Sequence, residues 1–175
     1  NPLAVQDLAD AEARLEEQTT QRDDIMKACD DIVKVIETLT AEMRDMFTTA
    51  FDQITANFRT VFTQLFNGGK GDLRLDFKDT DDPLEAGIDI MAQPPGKRLQ
   101  NINLLSGGEK SLTMIAILFA ILMLKPMPFC VLDETETALD DANANLYAEF
   151  IKKFSDRTQF IVITHRKPTM RHADT

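Results

Sequence analysis

The sequence of 175 residues has few of the residues that hold small secreted or metal-dependent domains together. It has no tryptophan and only two cysteines, Cys29 and Cys130, which lie far apart. Such a pair makes neither a disulfide framework nor a spaced metal motif, which predicts a reducing compartment. No signal peptide opens the chain, and its most apolar run, residues 112–124, is short for a bilayer span. We therefore expect a cytoplasmic chain with no membrane partner.

Positive charge is also scarce, because 19 lysines and arginines face 29 aspartates and glutamates, which gives a net charge of −10. This is the wrong sign for a surface that mainly binds nucleic-acid phosphates. Any DNA contact made by a larger protein would lie elsewhere or on a small local patch. The chain has no initiating methionine, and no closing element follows residue 172. We therefore expect it to be a piece of a longer polypeptide.

Glycine and proline are absent from residues 3–67, which favours one long helix. Apolar residues recur there in alternating steps of three and four, the heptad pattern of a coiled-coil strand. Gln18 and Arg22 weaken the early part of the pattern. One strand cannot bury its seam alone, so residues 1–48 are predicted to be a coiled-coil neck that requires a partner helix. The alternative is an amphipathic helix lying on a globular core. The two seams comprise Leu8, Leu15, Cys29, Ile36 and Met43, and Ile25, Ile32, Leu39 and Met46.

Residues 49–175 are predicted to form a globular lobe of the α/β class. Short alternating or apolar runs predict strands, the last two resembling the buried strands of parallel sheets. Between those two strands an amphipathic helix is expected, and before them a helix that is apolar on nearly all sides. The predicted strands cover residues 73–77, 88–90, 129–132 and 159–164, and the predicted helices cover 111–125 and 140–154.

The first segment that carries chemistry is Ser106-Gly107-Gly108-Glu109, which precedes the apolar helix. Glycines let backbone N–H groups approach an anion closely, and the start of a helix favours phosphate. The spacing of Ser106 and Glu109 also fits a capping box, which would require no ligand. The tetrapeptide alone leaves both interpretations open.

The second segment is an apolar strand that ends in Asp133-Glu134. Ligands of parallel sheets sit beyond the carboxyl ends of the strands. Asp133 is therefore placed to hold Mg²⁺, and Glu134 to orient or deprotonate an attacking water. The alternative is a strand that runs into a solvated acidic turn.

Two further polar residues follow, Asp140 before a helix and His165 directly after the last strand. Taken alone, Asp140 is a candidate helix cap, and His165 is a candidate polar residue at a strand end. Arg166 and Lys167, which follow it, are expected to be solvated.

In this order and spacing, the four segments resemble the signature motif, Walker B motif, D-loop and switch histidine of ABC ATPases. The sequence lacks any Gly-x-x-x-x-Gly-Lys-Ser/Thr loop, so it has no backbone cradle for the α- and β-phosphates. A heptad helix stands where the first half of such a domain would be. This combination resembles SMC (structural maintenance of chromosomes) proteins, whose heads are assembled from the two ends of one polypeptide. The segments whose sequences resemble those of bacterial SMC proteins are residues 93–97, 104–110, 128–134, 138–143 and 163–167.

The resemblance implies the C-terminal lobe of an ABC-type P-loop ATPase head, with ATP and Mg²⁺ as ligands. Glu134 and His165 would be catalytic, with His165 sensing the γ-phosphate, and Asp133 would serve the metal. The resemblance also implies five residues that would bind the nucleotide held by the opposite head, and among them Asp140 would couple the two sites. These residues are Ser106, Gly107, Gly108, Glu109 and Asp140.

The resemblance also implies partners, namely the N-terminal lobe, a second head in a homodimer, a kleisin subunit, and DNA through the whole complex. The expected function is ATP-driven head engagement in chromosome condensation and segregation, in a nucleoid-associated protein. The isolated chain is expected to be inactive. Two alternatives stay open at this point, a related DNA-repair ATPase head and a non-catalytic module that docks a kleisin. An ABC transporter domain fits less well, because its phosphate loop would lie upstream in the same domain.

Overall fold

The computed structural model describes residues 2–156 and 158–174, with the side chains of residues 2–5 and 7 left out. The chain divides into two compact units, Asn1–Met46 and Phe47–Thr175. The predicted boundary at residue 48 stays a prediction, and residues 1, 157 and 175 of the predicted domains lie outside the described residues. The elements in chain order are α1 (Pro2–Leu65), β1 (Lys70–Asp76), β2 (Gly87–Gln93), β3 (Gln100–Asn101), a 3₁₀ turn (Ile102–Leu104), α2 (Gly107–Leu124), β4 (Phe129–Asp133), α3 (Asp141–Phe154), β5 (Gln159–Ile163) and α4 (Lys167–Arg171).

From Pro2 onwards the first unit consists of helix, as the absence of glycine and proline from residues 3–67 predicts. Its apolar seam residues are exposed, with Leu15 at 65% and Met46 at 73% of full exposure. Ile32 and Ile36 on the seams are exposed to a similar degree. Such side chains gain stability only when another surface covers them. The unit therefore presents an unpartnered apolar stripe, while the coiled coil itself stays a prediction.

Helix α1 ends at a left-handed turn, as the Asn-Gly-Gly sequence predicts. Asn67 has a φ of 51°, and the N–H of Gly68 donates to the carbonyl of Thr63 at 2.8 Å. Gly71, the second residue of β1, lies directly against the helix, where a Cβ would lie 2.8 Å from the rings of Phe58 and Phe62. A larger residue at this position would push the strand away from α1.

Strands β1, β2 and β3 form an antiparallel sheet in the order β1-β2-β3. Leu73 of β1 pairs with Ile90 of β2, and residues 79–83, whose acidic sequence predicts a turn, lie between the two strands. Leu73 is buried, but Phe77, predicted to continue the alternation, lies beyond the strand and is half exposed. The register therefore follows the alternation of the sequence up to Asp76.

Strands β4 and β5 are parallel neighbours, so the predicted parallel α/β arrangement is confirmed. Cys130 and Leu132 are buried, whereas Val131 and Ile161 are about half exposed. The expectation that both strands are buried on both faces was therefore wrong. Helices α2 and α3 contribute core residues to one face only, since the buried positions alternate along β4. Within the described residues, the other face has no covering layer.

Helix α2 begins at Gly107, four residues earlier than predicted, because the signature tetrapeptide forms its first turn. Leu112 and Phe119 are fully buried, and Asn57 of α1 donates to the carbonyl of Ala120 at 3.2 Å. Met114 and Ile121 are about half exposed, so the prediction of burial on nearly all sides was wrong. The helix is long and apolar enough to cross a membrane, but its buried face identifies it as a core helix of this unit.

Aromatic rings join the helices to the parallel sheet. Phe119 of α2 lies 4.9 Å from Phe150 and 5.4 Å from Phe154 of α3, measured between ring centroids. It also lies 5.9 Å from Phe160 of β5. Offset and edge-on pairs at these distances stabilise a core beyond the area they bury. This cluster packs α2 and α3 against β5.

Candidate functional site

Glu134 and His165 meet where the two parallel strands end. Glu134 is the first residue after β4, and His165 is the second residue after β5. The last residues of the two strands, Asp133 and Ile163, pair with each other in the register. His165 Nε2 lies 3.1 Å from Glu134 Oε1, and both side chains are accessible, at 89% and 48% exposure. Carboxyl ends of parallel strands are where α/β proteins bind ligands. The structure thus brings together the two residues that the sequence predicts to be catalytic.

The backbone at Glu134 is held in an unusual conformation. Its φ is 46°, a left-handed value that non-glycine residues adopt at a cost. Three hydrogen bonds to its backbone accompany it, one of them from the Thr137 N–H to the Glu134 carbonyl at 3.1 Å. The Glu134 N–H donates to the carbonyl of Ile163 at 2.9 Å, and the Thr137 hydroxyl donates to the Glu134 carbonyl at 2.6 Å. This turn directs the carboxylate towards His165 and away from the continuation of the strand.

The signature segment forms a capping arrangement at the start of α2. The N–H and hydroxyl of Ser106 both donate to Glu109 Oε2, at 3.1 and 2.8 Å. Lys97 lies 2.8 Å from the other oxygen of this carboxylate. Burial alone raises the pKa of Glu109, but the hydrogen bonds from Lys97 and Ser106 outweigh it and lower the pKa below its ordinary value. The capping interpretation is therefore confirmed, and the carboxylate at this helix terminus is neutralised by a lysine.

The two glycines of the signature segment have different surroundings. A Cβ at Gly107 would meet nothing within 4 Å, so this side of the helix start is open. A Cβ at Gly108 would lie 3.2 Å from the carbonyl oxygen of Ala138. Gly108 therefore lets α2 approach the loop that follows Glu134. Within the described residues, no hydrogen bond joins Ser106 to Glu134.

Asp140 caps helix α3, since its carboxylate accepts a hydrogen bond from the N–H of Asn143 at 2.8 Å. This bears out the capping alternative and leaves any role towards nucleotide a prediction. Asp133 is exposed at the end of β4. No group of three or more metal-ligating side chains occurs among the described residues. A Mg²⁺ ion held by one carboxylate together with waters and phosphates is the type of site that Asp133 fits.

Sequence reasoning missed three residues, of which Glu136 and Arg166 lie beside the strand ends. Glu136 is only 1% exposed, although it lies two residues after Glu134. The expectation that Arg166 is solvated was wrong, because its guanidinium donates to the carbonyl of Thr137 at 2.9 Å and to Asp141 at 3.1 Å. Lys97, read as part of a loop, is the third missed residue. Contacts over 12 to 29 positions cannot be seen in local patterns.

Comparisons with known proteins identify the family. A family model described as the RecF/RecN/SMC N terminal domain matches residues 5–175. The chain belongs to the RecF/RecN/SMC family. The predicted resemblance to SMC proteins and the predicted fold class are thereby confirmed.

Bacterial and archaeal relatives agree with this assignment. The chain is 54% identical over 154 residues to the chromosome partition protein Smc of Bacillus subtilis, covering 88% of this chain and 13% of the relative. It matches a Pyrococcus furiosus Smc head domain with an extended coiled coil, bound to the C-terminal domain of ScpA. That match has a TM-score of 0.74 and 38% identity over 93% of this chain and 40% of the solved chain.

A third match comes from work on ATP-driven dimerisation and DNA-stimulated activation of SMC ATPases. It has a TM-score of 0.69 and 41% identity, and it covers 75% of this chain and 78% of the solved chain. The chain thus spans about one eighth of the length of the B. subtilis relative.

Proposed function

We propose that this chain is the C-terminal lobe of an SMC ATPase head, acting in chromosome condensation and segregation. With the N-terminal lobe and a second head, it binds and hydrolyses ATP, and this drives head engagement. The observation that carries the proposal is the Glu134–His165 pair at 3.1 Å, at the ends of adjacent parallel strands. The family assignment supports the same chemistry.

Each residue at the strand ends has a distinct role in this proposal. Asp133 serves Mg²⁺, which neutralises phosphate charge when bound. Glu134 orients the attacking water and accepts its proton, and the contact with His165 holds the carboxylate in place until substrate enters. His165 contacts the γ-phosphate from the neighbouring strand end. The exposure of both side chains leaves them accessible to substrate.

The start of α2 serves the nucleotide held by the opposite head. Ser106, Gly107 and Gly108 supply a hydroxyl and free N–H groups to the γ-phosphate, and the open side of Gly107 leaves room for this approach. Ser106 must release Glu109 to donate to phosphate, and Lys97 keeps Glu109 neutralised meanwhile. Asp140, in the loop that contacts Gly108, couples the two sites of the dimer.

The chain requires other segments to complete this site. It has no phosphate-binding loop, and a cavity of about 870 Å³ among α3, β5 and α4 is lined by none of the predicted site residues. The apolar open face of β4 and β5 also offers a surface for the N-terminal lobe. The isolated chain is therefore inactive in this proposal, with residues 1–48 as the coiled-coil neck and 49–175 as the lobe.

The partners follow from the relatives. Since a similar head is bound to ScpA and another belongs to work on ATP-driven dimerisation, we include a kleisin and a second head in a homodimer. DNA is bound by the whole complex rather than by this acidic chain, whose net charge is −10. The complex acts in the cytoplasm, associated with the nucleoid.

The proposal is tested by Glu134→Gln in the full-length protein. Removing the base while keeping its shape should lower the rate of phosphate release by roughly 100-fold or more, since general bases contribute about 10²- to 10⁴-fold. ATP binding should persist, because the phosphate contacts are unchanged. Glu149→Gln, an equal change on the exposed side of α3, is the matched control. Turnover of Glu134→Gln equal to that of the control would favour the non-catalytic docking module.

A further inference from the structure

Arg166 links the two loops that carry the candidate site. One guanidinium nitrogen donates to the carbonyl of Thr137 at 2.9 Å, and another donates to Asp141 Oδ1 at 3.1 Å. The side chain is about one third exposed. An arginine can make both contacts at once because its donors form a rigid fork. The residue next to His165 is thereby fastened to the segment that contains Asp140.

The backbone of Arg166 is fastened to the same segment by a second route. Its N–H donates to the hydroxyl of Thr164 at 2.9 Å, and that hydroxyl donates to Glu136 Oε1. Glu136 is buried, and its Oε2 has no hydrogen-bond partner among the described residues. A buried carboxylate with so few partners is costly. This cost is consistent with a role other than stability.

The residues that make these contacts flank His165 and Asp140 in the sequence. In the proposed function, His165 faces the nucleotide and Asp140 faces the opposite head. His165 lies between Thr164 and Arg166, and Asp140 lies between Thr137 and Asp141. A shift of His165 therefore stretches hydrogen bonds to the segment that contains Asp140. Hydrogen bonds in such networks act together rather than as independent contacts. These hydrogen bonds therefore join the two loops.

We propose that Arg166 and Glu136 are positioning residues that couple His165, on the nucleotide side, to Asp140, on the side of the opposite head. Arg166 contacts Thr137 and Asp141, and Glu136 contacts Thr164, so in this proposal they act through the loops that carry His165 and Asp140. The proposal rests on the proposed function, because it requires a nucleotide at the strand ends. It adds that the state of one site reaches the other through a specific arginine.

The test is the ATP dependence of phosphate release by the full-length dimer carrying Arg166→Ala. We expect kcat to fall by roughly 10- to 100-fold, the scale of a catalytic group misplaced by about 1 Å, with KM within about twofold of wild type. Arg171→Ala removes the same charge from an exposed position in α4 and should leave both constants unchanged. Arg166→Lys should restore less than half of the loss, because an ammonium lacks the fork.

Asp141→Ala gives a second test that does not endanger folding, since this side chain is 85% exposed. It should lower kcat by roughly threefold or more, and the loss should not add to that of Arg166→Ala, as expected for residues in one network.

Three outcomes would overturn the inference. They are turnover of Arg166→Ala equal to that of Arg171→Ala, a rise in KM at constant kcat, and additive losses in the double variant with Asp141. Failure of the proposed function is distinguished by Glu134→Gln, which would then retain full turnover in the same assay.

Discussion

The two units of the chain place apolar residues in opposite environments. In Asn1–Met46, Ile36 is 56% exposed, and its seam neighbours are exposed to a similar degree. In Phe47–Thr175, Ile115 is only 6% exposed and lies in a core shared by α1, α2, β4 and α3. Both isoleucines are in helices. The same residue type therefore stabilises the core of the second unit, whereas in the first unit it remains exposed and available to a partner.

The difference teaches which parts of the chain need other segments. Full burial of an aliphatic side chain is worth about 1.5–3 kcal/mol, and the first unit leaves this gain unused at each seam position. The second unit leaves apolar side chains exposed on one face of β4 and β5 and on part of α2, among other places. We interpret both surfaces as places where the complete protein adds structure.

Among the variants that test this difference between the two units, Ile115→Ala is expected to have the largest effect on stability. Removing a buried aliphatic side chain leaves a cavity, so the free energy of unfolding should fall by about 2–4 kcal/mol. Urea unfolding measures it, and Tyr147, the only tyrosine of a chain without tryptophan, is a buried fluorescence probe of this unit.

Ile36→Ala is the matched control, since it makes the same change at an exposed helical position. It should alter the free energy of unfolding by less than about 0.5 kcal/mol, because surface substitutions remove few contacts. Equal losses from the two variants would show that the first unit buries its seam in the isolated chain.

A smaller effect is expected within the second unit for Lys97→Met. The hydrogen bonds from Lys97 and Ser106 lower the pKa of Glu109 in the folded state. The associated stability is therefore present above the ordinary value of 4.5 and lost as pH falls below it. The variant should lose about 0.5 kcal/mol or less at neutral pH, since Lys97 is half exposed, and its stability should fall less steeply below pH 4.5.

The control for this prediction is Lys110→Met, an equal loss of charge at an exposed position one residue after Glu109. Urea midpoints measured from pH 7 down to below pH 4.5 compare the two variants. An unchanged slope for Lys97→Met would mean that the Lys97–Glu109 contact does not set the pKa of Glu109.

Much of the fold could be predicted from sequence because the relevant signals are local. The heptads predict the long helix, Asn67 and the glycines after it predict its end, and the alternation around Leu73 predicts β1. The parallel pair also follows from the order of helix and strand. Its open face could not be predicted, because an apolar strand looks the same whether this chain or another segment covers it.

For the site, the order of motifs predicts that Glu134 and His165 lie together, since both follow parallel strands. The sequence did not predict the contacts of Lys97, Glu136 and Arg166, because charged residues usually indicate positions exposed to solvent. Only the folded chain shows their partners. Long-range hydrogen bonds leave no periodic trace in a single sequence.

The central claim is that this chain holds part of a nucleotide site that other segments complete. Calorimetric titration of the chain with ATP and Mg²⁺, repeated after addition of the N-terminal lobe of the same protein, tests it most directly. We predict no measurable binding by the chain alone and clear binding once the lobe is present. Binding of ATP by the chain alone with micromolar affinity would contradict the claim.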